Sequence, residues 1–343
     1  MKALILKEYN RLVYEEIDKP EIGDDDVLIE VKACGICGSD VHGMDGSTGR
    51  RQPPVVMGHE AAGIIAETGA NAKGWKAGDR ITFDSTISCG SCYFCRKGQT
   101  NLCDNRRVLG VSCEDYRQQG AFAEYIAVPE RILYRLPDGL SFEQASLVEP
   151  LSVAVHAVGR APLSPNDTAV VVGSGMVGLL VVQALRAAGC KKIIAVDLEQ
   201  DRLDLACKLG ADLGLRSDKC DVSEEVMKIT GNMGADIALE VVGITPTVET
   251  AVKVLKKGGS LTLIGNLSPT VEWPLQAVVT REISVYGSCI SRGEYPACLK
   301  MMAQGVVNVE ALISTTAPLS EGAAWFERLY NRERGLLKVI LIP

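Results

Sequence analysis

Residues 169–189 read AVVVGSGMVGLLVVQALRAAG, a continuous apolar strand followed by a glycine-rich turn and a segment of helical length and periodicity. The turn has the spacing GxGxxG, whose glycines permit a tight turn, close approach to a pyrophosphate and close packing of helix on strand. The first N–H groups of the helix then face the phosphates. The predicted nucleotide-binding residues of this turn are Gly173, Gly175, Met176, Val177 and Gly178.

The next predicted strand bears on which nucleotide the turn binds. It reads IIAVD and ends at Asp197, 19 residues after Gly178, where a carboxylate can accept hydrogen bonds from both ribose hydroxyls. The same carboxylate repels a 2′-phosphate, which favours NAD over NADP. Arg202 can reach the adenosine side, although an ion pair with Asp201 or Glu199 explains it equally well. A strand-to-helix turn without a nucleotide is the structural alternative.

Continuous apolar strands alternate with helical segments from residue 151 to residue 287. Besides the opening unit, strands are predicted at 193–197, 214–216, 237–242, 260–265 and 283–287, and helices at 201–211 and 247–259. This alternation is typical of a parallel sheet that is covered by helices on both faces. The sequence therefore predicts an α/β fold with a doubly wound parallel sheet.

The chain on either side of this segment has a different pattern. Short strands and glycine turns dominate the first part, with strands predicted at 27–33, 61–69, 79–83 and 120–128. The C-terminal part is mixed, with helices near 294–304 and 320–331 and a closing strand at 338–343. We assign residues 1–150 and 288–343 to one domain, which makes residues 151–287 an inserted second domain.

Length and composition limit the class of protein. The chain has 343 residues, enough for two domains, and its 47% hydrophobic and 23% charged residues are ordinary for a globular protein. No apolar run approaches the roughly 20 residues that span a bilayer, and the N-terminus does not resemble a signal peptide, so we expect a cytoplasmic protein. The net charge of −7 and the lack of a basic run disfavour a nucleic-acid partner.

Four of the 12 cysteines fall within one short segment. They are Cys89, Cys92, Cys95 and Cys103. Four thiolates at this spacing can surround one tetrahedral Zn²⁺ without leaving an open position, which makes the predicted site structural. Disulfides and an iron–sulfur cluster are the alternatives; a reducing compartment argues against the first, and hydride transfer has no need of the second.

A second candidate metal site lies in residues 34–60. Cys37, His59 and Glu60 together suit Zn²⁺, and three protein ligands leave one coordination position open for chemistry. A metal with an open position can bind an alcohol oxygen and lower its pKa, which prepares the alcohol to release a hydride. Ser39 can take the proton and pass it along cofactor hydroxyls to His42.

Three neighbouring features have open interpretations. Asp40 suits an outer partner of His59 that fixes its tautomer. Cys34 forms C-x-x-C with Cys37, a possible dithiol redox pair, but without a thioredoxin-like context we interpret it as a buried strand residue. Glu149 can ligate zinc directly or hold the metal-bound water, or it can be a helix N-terminal carboxylate without a metal role.

Taken together, these motifs resemble the zinc-dependent medium-chain dehydrogenase/reductase family, and within it the polyol branch of the sorbitol (L-iditol 2-) dehydrogenases. The resemblance covers essentially the whole chain and keeps the order and spacing of the family. It rests on CGSDVH from Cys37, on GHE from Gly58, on the four cysteines, on EPLSVAVH from Glu149 and on the GSGMVG turn.

The resemblance implies a GroES-like β-barrel catalytic domain, a Rossmann domain and an active site in the cleft between them. It implies two Zn²⁺ per chain, one catalytic and one structural, together with NAD(H) and association as a homotetramer or dimer. Cys37, His59 and Glu60 are then zinc ligands with water as the fourth, and Glu149 lies on or beside that water. The family's simple alcohol dehydrogenases carry a cysteine in place of Glu149, so this glutamate supports the polyol branch.

The substrate is less constrained than the metal. Sorbitol dehydrogenases often have an aromatic residue after the CGSDVH motif, where this chain has Gly43. The predicted substrate contacts are Ser39, His59, Glu149 and Arg292. The arginine pairs at 50–51 and 106–107 would suit a phosphorylated polyol of the galactitol-1-phosphate type, although we favour solvated loop charges.

These features together predict an NAD-dependent, zinc-dependent enzyme that oxidises a secondary alcohol of a polyol to a ketose, with Ser39, His42 and Glu149 in catalysis. The alternatives on the same scaffold are a sugar-alcohol-phosphate dehydrogenase and an L-threonine 3-dehydrogenase. A more remote alternative is a zinc- and nucleotide-binding protein without catalysis.

Overall fold

A computed structural model describes all 343 residues of the protein, which form two compact units. The first unit consists of Met1–Glu149, Tyr295–Gln304 and Val309–Pro343, and the second consists of Pro150–Glu294 and Gly305–Asn308. None of the helices combines the length and the apolar character needed to cross a membrane.

The N-terminal part of the first unit is rich in short strands. The strands are β1 Lys2–Glu8, β2 Arg11–Glu16, β3 Asp26–Gly35, β4 Val55–Val56, β5 Glu60–Thr68, β6 Arg80–Phe83, β7 Thr86–Ile87, β8 Arg107–Val108, β9 Tyr125–Pro129 and β10 Leu133–Arg135. The helices are α1 Gly38–Gly43, α2 Tyr93–Arg96, α3 Phe142–Ala145 and α4 Val148–Arg160. The predicted strand at 120–128 is confirmed only in its second half, in β9.

The second unit alternates strands and helices. The strands are β11 Thr168–Val172, β12 Lys192–Asp197, β13 Leu213–Arg216, β14 Ala235–Glu240, β15 Leu255–Leu263 and β16 Ser284–Gly287. The helices are α5 Met176–Ala187, α6 Gln200–Lys208, α7 Val222–Ile229, α8 Thr245–Lys253 and α9 Leu275–Thr280. The chain then returns to the first unit with α10 Tyr295–Ala303, β17 Ile313–Pro318, α11 Gly322–Tyr330 and β18 Lys338–Ile342.

The six strands of the second unit form one parallel sheet in the order β13-β12-β11-β14-β15-β16. This is the strand order of a Rossmann fold, in which a nucleotide binds at the carboxyl ends of the strands where the order reverses. The predicted doubly wound α/β fold is confirmed. The helix expected at 247–259 is wrong after Lys253, because residues from Leu255 onward pair with β14 as β15.

The main sheet of the first unit has the order β10-β6-β5-β3-β18-β17, with β9 also paired to β3. Strand β3 is central, and it is antiparallel to β5 on one side and to β18 on the other. The core includes Phe122 and Phe326, whose fully buried rings meet edge to face at 5.6 Å and attach α11 to the strands. The C-terminal strand is therefore part of the framework around the end of β3.

The domain boundary after β16 differs from the one we assigned. Residues 288–294, which we placed in the first domain, belong to the second unit. Two contacts within that unit explain the difference: Glu294 Oε1 lies 2.7 Å from His156 Nδ1, and Arg160 Nε donates to the carbonyl oxygen of Gly287 at 3.2 Å. Side-chain contacts of α4 thus hold the segment that follows β16, and sequence pattern does not reveal such contacts.

Candidate active site

The candidate metal centre forms where two antiparallel strands of the first unit end side by side. Gly35, the last residue of β3, pairs with Glu60, the first residue of β5. Cys37 follows β3 and caps α1, while His59 immediately precedes β5. The ligand atoms of Cys37, His59 and Glu60 all lie within 4.8 Å of one another. The register of β3 against β5 thus brings together the three predicted ligands.

These three side chains fit a zinc ion. A thiol, an imidazole and a carboxylate are all ligands that zinc accepts, and three protein ligands leave one coordination position for water or substrate. His59 and Glu60 are buried and Cys37 is half-buried, so a cation held by them is largely removed from bulk water.

Asp40 is fully buried beside His59. Its Oδ1 lies 3.4 Å from His59 Nδ1, close enough for electrostatic attraction although not aligned as a hydrogen bond, which leaves Nε2 as the nitrogen available to a metal. Burial alone would raise the pKa of Asp40, but His59 and Arg51 outweigh it and hold the pKa well below its usual range. Burial likewise lowers the pKa of His59, yet Asp40 and Cys37 raise it well above its usual value. The site therefore favours a positive charge, as a divalent cation would supply.

A buried lysine from the last strand supports Glu60. Lys338 is 2% exposed and donates to Glu60 Oε2 at 2.5 Å and to the carbonyl oxygen of Ile36 at 2.9 Å. Strand β18 places it there, because Ile340 pairs with Gly35. A Cβ at Gly35 would lie 2.5 Å from Glu60 Oε2, so glycine leaves the room that this carboxylate needs. Lys338 thus compensates the buried charge of a predicted ligand.

The two residues of the predicted proton relay share the short helix α1. Ser39 Oγ donates to Cys37 Sγ at 3.4 Å, so this hydroxyl lies directly beside a predicted ligand. His42 is half-buried and lies three residues further along, on the same side of the helix. No direct hydrogen bond joins Ser39 to His42, so a relay between them needs an intermediate group such as the cofactor hydroxyls.

Glu149 lies in the first turn of α4 and is half-buried. It does not belong to the group of ligand atoms within 4.8 Å, so direct ligation of zinc by Glu149 stays a prediction. Burial raises the pKa of Glu149 to about 7; His59 opposes this rise and the negative charge of Glu60 adds to it. A carboxyl group with a pKa near neutrality suits a general base.

The second cysteine cluster lies in one local segment of the first unit. The four sulfur atoms, those of Cys89, Cys92, Cys95 and Cys103, lie within 4.8 Å of one another and none forms a disulfide. The backbone N–H groups of Cys89 and Cys92 donate to Cys103 Sγ at 3.2 Å and to Cys89 Sγ at 3.4 Å. Donors of this kind, first of all the N–H of Ser91, lower the pKa of Cys89 to about 5. Four thiols that converge without a further position fit a structural zinc.

The glycine-rich turn of the second unit has the geometry of a phosphate cradle. Gly173 has φ = +100°, and a Cβ there would lie 2.5 Å from Val242 Cγ2. A Cβ at Gly178 would lie 1.8 Å from the carbonyl oxygen of Gly173, so only glycine allows α5 to pack this closely. Gly175 caps α5, just before Met176 and Val177, and has open space around its Cα. A pyrophosphate can therefore approach the helix N-terminus at Gly175.

Asp197 ends β12, the strand beside this turn. Its Oδ2 accepts a hydrogen bond from the N–H of Ser174 at 2.7 Å, and its Oδ1 accepts from the N–H groups of Leu198 and Glu199 at 2.8 and 3.0 Å. These backbone donors fix the orientation of the carboxylate and leave further lone pairs for ribose hydroxyls.

Two arginines lie near Asp197 in the sequence or the sheet. Arg202 is half-buried in α6 and forms no ion pair, so the alternative of pairing with neighbouring acids is not realised. Arg216 pairs with Asp197 in the register of β13 on β12, but Asp218 accepts from its Nε and Nη2 at 3.0 and 2.7 Å. Neither arginine is bound to Asp197.

The arginines that we considered for substrate or phosphate binding differ in exposure and in partners. Arg292 is exposed in the second unit, and its side chain forms no ion pair. Arg51, which we interpreted as a solvated loop charge, is instead buried and bound to Asp40. Arg106 donates to the carbonyl oxygen of Asn101. The phosphate-binding alternative therefore loses Arg51.

Sequence reasoning missed three buried charged residues. Arg51 and Lys338 compensate Asp40 and Glu60, and Glu240 ends β14 with its Oε1 accepting from the N–H groups of Val242 and Gly243 at 2.9 and 2.8 Å. For Glu240 and Lys338, the available signal was a single charge inside an apolar strand, as in IALEVV and KVILIP; Arg51 lies outside any apolar run and carries no such signal.

Two family profiles match the chain. One, described as the alcohol dehydrogenase GroES-like domain, matches residues 23–138, and the other, described as zinc-binding dehydrogenase, matches residues 176–304. Together they cover the predicted metal ligands Cys37, His59 and Glu60, the cysteine cluster and most of the nucleotide-binding unit.

Similar proteins are dehydrogenases. The chain is 35% identical to the sorbitol dehydrogenase of Bacillus subtilis, across 100% of this chain and 97% of that protein. It is 37% identical to the L-idonate 5-dehydrogenase of Vitis vinifera, across 86% and 81%. A solved structure of a zinc-binding dehydrogenase from Sinorhizobium meliloti, bound to NADP, has a TM-score of 0.91 and 32% identity and covers 100% of this chain and 99% of that one.

Proposed function

We propose that this chain, which belongs to the family of zinc-binding dehydrogenases with a GroES-like domain, oxidises a secondary hydroxyl of a polyol to a ketone with NAD⁺ as the hydride acceptor. The observation that carries the proposal is the convergence of Cys37, His59 and Glu60 within 4.8 Å, with no fourth protein ligand in the group. A three-ligand zinc site keeps a position for substrate. The sorbitol and L-idonate dehydrogenases among the relatives support a polyol or a related sugar-derived substrate.

When bound, zinc would lower the pKa of an alcohol oxygen as a Lewis acid, and NAD⁺ would accept the hydride. Overall, one secondary alcohol and NAD⁺ give one ketone, NADH and one proton. Cys37, His59 and Glu60 would hold the zinc. Ser39 would accept the hydroxyl proton, and His42 would pass it to solvent. Glu149, with a pKa of about 7, would hold the proton of a water or hydroxyl next to the site.

The preference for NAD over NADP rests on Asp197. Its fixed carboxylate can accept hydrogen bonds from both ribose hydroxyls and would repel a 2′-phosphate. Arg216, a cation that could offset this repulsion, is bound by Asp218 through two hydrogen bonds. The NADP-bound relative makes this a point to measure. Association as a tetramer or dimer stays a prediction from the resemblance, and a cytoplasmic location stays a prediction from the sequence pattern.

The test is a substrate panel with the purified chain, with NADH formation followed at mildly alkaline pH. The panel contains sorbitol, xylitol, galactitol 1-phosphate, L-threonine and a simple primary alcohol, each with NAD⁺ and with NADP⁺. We expect the unphosphorylated polyols with NAD⁺ to give the highest kcat/KM. Cys37→Ser serves as the inactive control.

Two results would count against the proposal. A higher kcat/KM for the phosphorylated polyol, lost on substituting Arg50 or Arg292, would move the assignment to a polyol phosphate. If the chain binds about two zinc ions but turns over no polyol, the metal sites would be supported and the assignment of a polyol substrate would be wrong.

A further inference from the structure

The predicted mechanism gives no role to one buried ion pair next to the candidate metal centre, the pair between Arg51 and Asp40. Arg51 is 4% exposed, and its Nε and Nη2 both donate to Asp40 Oδ1, at 3.2 and 2.8 Å. The same oxygen faces His59 Nδ1 at 3.4 Å. Asp40 Oδ2 has no hydrogen-bond partner. A single carboxylate oxygen is therefore shared between a guanidinium and the ring of a predicted zinc ligand.

Arg51 also reaches the neighbour of a second ligand. Its Nη2 lies 3.5 Å from Ser39 Oγ, and Ser39 in turn donates to Cys37 Sγ at 3.4 Å. One guanidinium thus contacts both Asp40, whose carboxylate lies next to the His59 ring, and Ser39, whose hydroxyl donates to Cys37 Sγ.

The backbone on both sides of Arg51 is fixed. The N–H of Ser112 donates to the carbonyl oxygen of Arg50 at 3.2 Å, and the N–H of Gln52 donates to the carbonyl oxygen of Ser112 at 2.9 Å. Because these hydrogen bonds hold the main chain on either side of Arg51, the Cα of Arg51 has a fixed position from which the side chain extends to Asp40.

The aliphatic part of the Arg51 side chain packs against Gly43 of α1, where no larger residue would leave room for it. A Cβ added at Gly43 would lie 2.5 Å from Arg51 Cγ and 3.4 Å from its Cβ. The near atoms belong to the base of the side chain, so they cannot move aside without moving the guanidinium. Any residue other than glycine at position 43 would displace Arg51 from Asp40. This explains why the position that we noted as lacking an aromatic residue is a glycine.

We propose that Arg51, admitted by Gly43, is a positioning residue of the metal centre: it fixes the Asp40 carboxylate and thereby the orientation of His59, and so sets the zinc affinity of the site. This inference rests on the proposed function only for the identity of the metal. Two donors of the planar guanidinium, Nε and Nη2, converge on the one oxygen Oδ1, which fixes that oxygen next to His59 more firmly than the ammonium group of a lysine would. Partners of this kind typically change metal affinity roughly 10- to 100-fold when they are removed.

The test measures zinc affinity by chelator competition on purified protein without substrate or cofactor. Arg51→Met, Arg51→Lys and Gly43→Ala are each expected to weaken binding at the catalytic site by roughly 10- to 100-fold, with Arg51→Lys the mildest. Cobalt(II) bound at this site is expected to show shifted absorption bands in the same variants, because His59 changes orientation.

Two controls separate the proposal from simpler effects. Gly38→Ala makes the same substitution in α1, where a Cβ meets nothing within 4 Å, and should leave zinc affinity within about twofold. Arg50→Met removes an exposed positive charge next to Arg51 and should do the same. In the Arg51→Met background, Gly43→Ala should add no further loss of zinc affinity, because the guanidinium that it would displace from Asp40 is already gone.

If Arg51→Met fails to fold, Gly43→Ala and Arg51→Lys carry the test. Wild-type zinc affinity and unchanged cobalt bands in folded Gly43→Ala and Arg51→Lys would overturn the proposal and leave Arg51 a structural residue. Equal, additive losses from Gly43→Ala with and without Arg51 would also overturn it. Because no substrate is used, a chain that oxidises no polyol could still pass this test, so failure of the proposed function remains distinguishable.

Discussion

The tripeptide Cys-Gly-Ser occurs twice in the first unit, at 37–39 and at 89–91, in two sites that differ in every other respect. In both, the serine hydroxyl donates to the sulfur two residues earlier, at 3.4 Å and at 3.6 Å. Around the second copy, the other partners come from the same short segment and include backbone N–H groups. Around the first copy, they come from β5, from residue 51 and from β18.

This difference decides what each cysteine can do. Four thiols from one segment close a tetrahedral site, and such a site supports structure. Near Cys37, the mixed set of predicted ligands would keep a coordination position open, and two buried cations, Arg51 and Lys338, compensate the acidic residues. The same local motif thus suits either a closed or an open metal site, and the distant residues around it determine which of the two we predict.

The largest effect is expected for Cys37→Ser. Loss of this ligand should lower kcat/KM by about 10,000-fold or more, because the metal contributes several kcal/mol to stabilising the transition state. The zinc content should fall from about two to about one per chain. NADH binding, measured by fluorescence, should persist, because the Gly173–Gly178 turn lies in the other unit. Retained turnover with one zinc would show that the open site is not where the reaction occurs.

The serines of the two tripeptides should respond very differently. Ser39→Ala should lower kcat by about 100- to 10,000-fold if the hydroxyl moves the substrate proton, while Ser91→Ala should leave kcat unchanged. Both variants remove one hydroxyl donor to a sulfur, so each controls for the other. The measurement is kcat with the best substrate of the panel, together with zinc content. Equal kcat values in the two variants would remove Ser39 from the relay.

Removing the buried cation next to Glu60 should cost stability. In metal-free protein, Lys338→Met leaves the buried Glu60 carboxylate without a positive partner, which is expected to lower the free energy of unfolding by about 3–5 kcal/mol. Lys256→Met is the matched control, because the Lys256–Asp236 pair is partly exposed and should contribute about 1 kcal/mol or less. Urea denaturation of both variants measures the difference. Equal losses would mean that burial of the Lys338 pair carries no special energetic weight.

The smallest effect on chemistry is expected for Cys92→Ser. It should also reduce zinc from about two to about one per chain. The kcat per folded molecule should nevertheless change by less than about tenfold, because the four-cysteine segment supplies no group to the proposed reaction. The midpoint of thermal unfolding should fall. Cys92→Ser and Cys37→Ser should each lose one zinc, but only Cys37→Ser should lose turnover. A loss of turnover as large as that of Cys37→Ser would place the four-cysteine segment in the catalytic step.

Much of the fold could be predicted from the hydrophobic pattern of the sequence. Strands β11 and β12 lie within one residue of the predicted positions, because continuous apolar runs mark strands that are buried on both faces. Helix α7 was missed although Asp221 caps it by accepting from the N–H groups of Ser223 and Glu224. Strand β17 was missed because half of its residues are exposed and only one is buried, so its pairing with β18 is what defines it.

The sequence by itself determined the ligand types and two features whose partners are local, the glycine-rich turn and the four-cysteine segment. Ligand chemistry and turn geometry depend on residue type and short spacing, which a chain carries in any conformation. Only the tertiary structure decided that Arg51 is buried against Asp40, that Gly43 makes room for it, and that Lys338 meets Glu60. Those contacts depend on burial and on the register of β3 with β5 and β18, and a charge changes its role from solvated to structural when the sheet removes it from water.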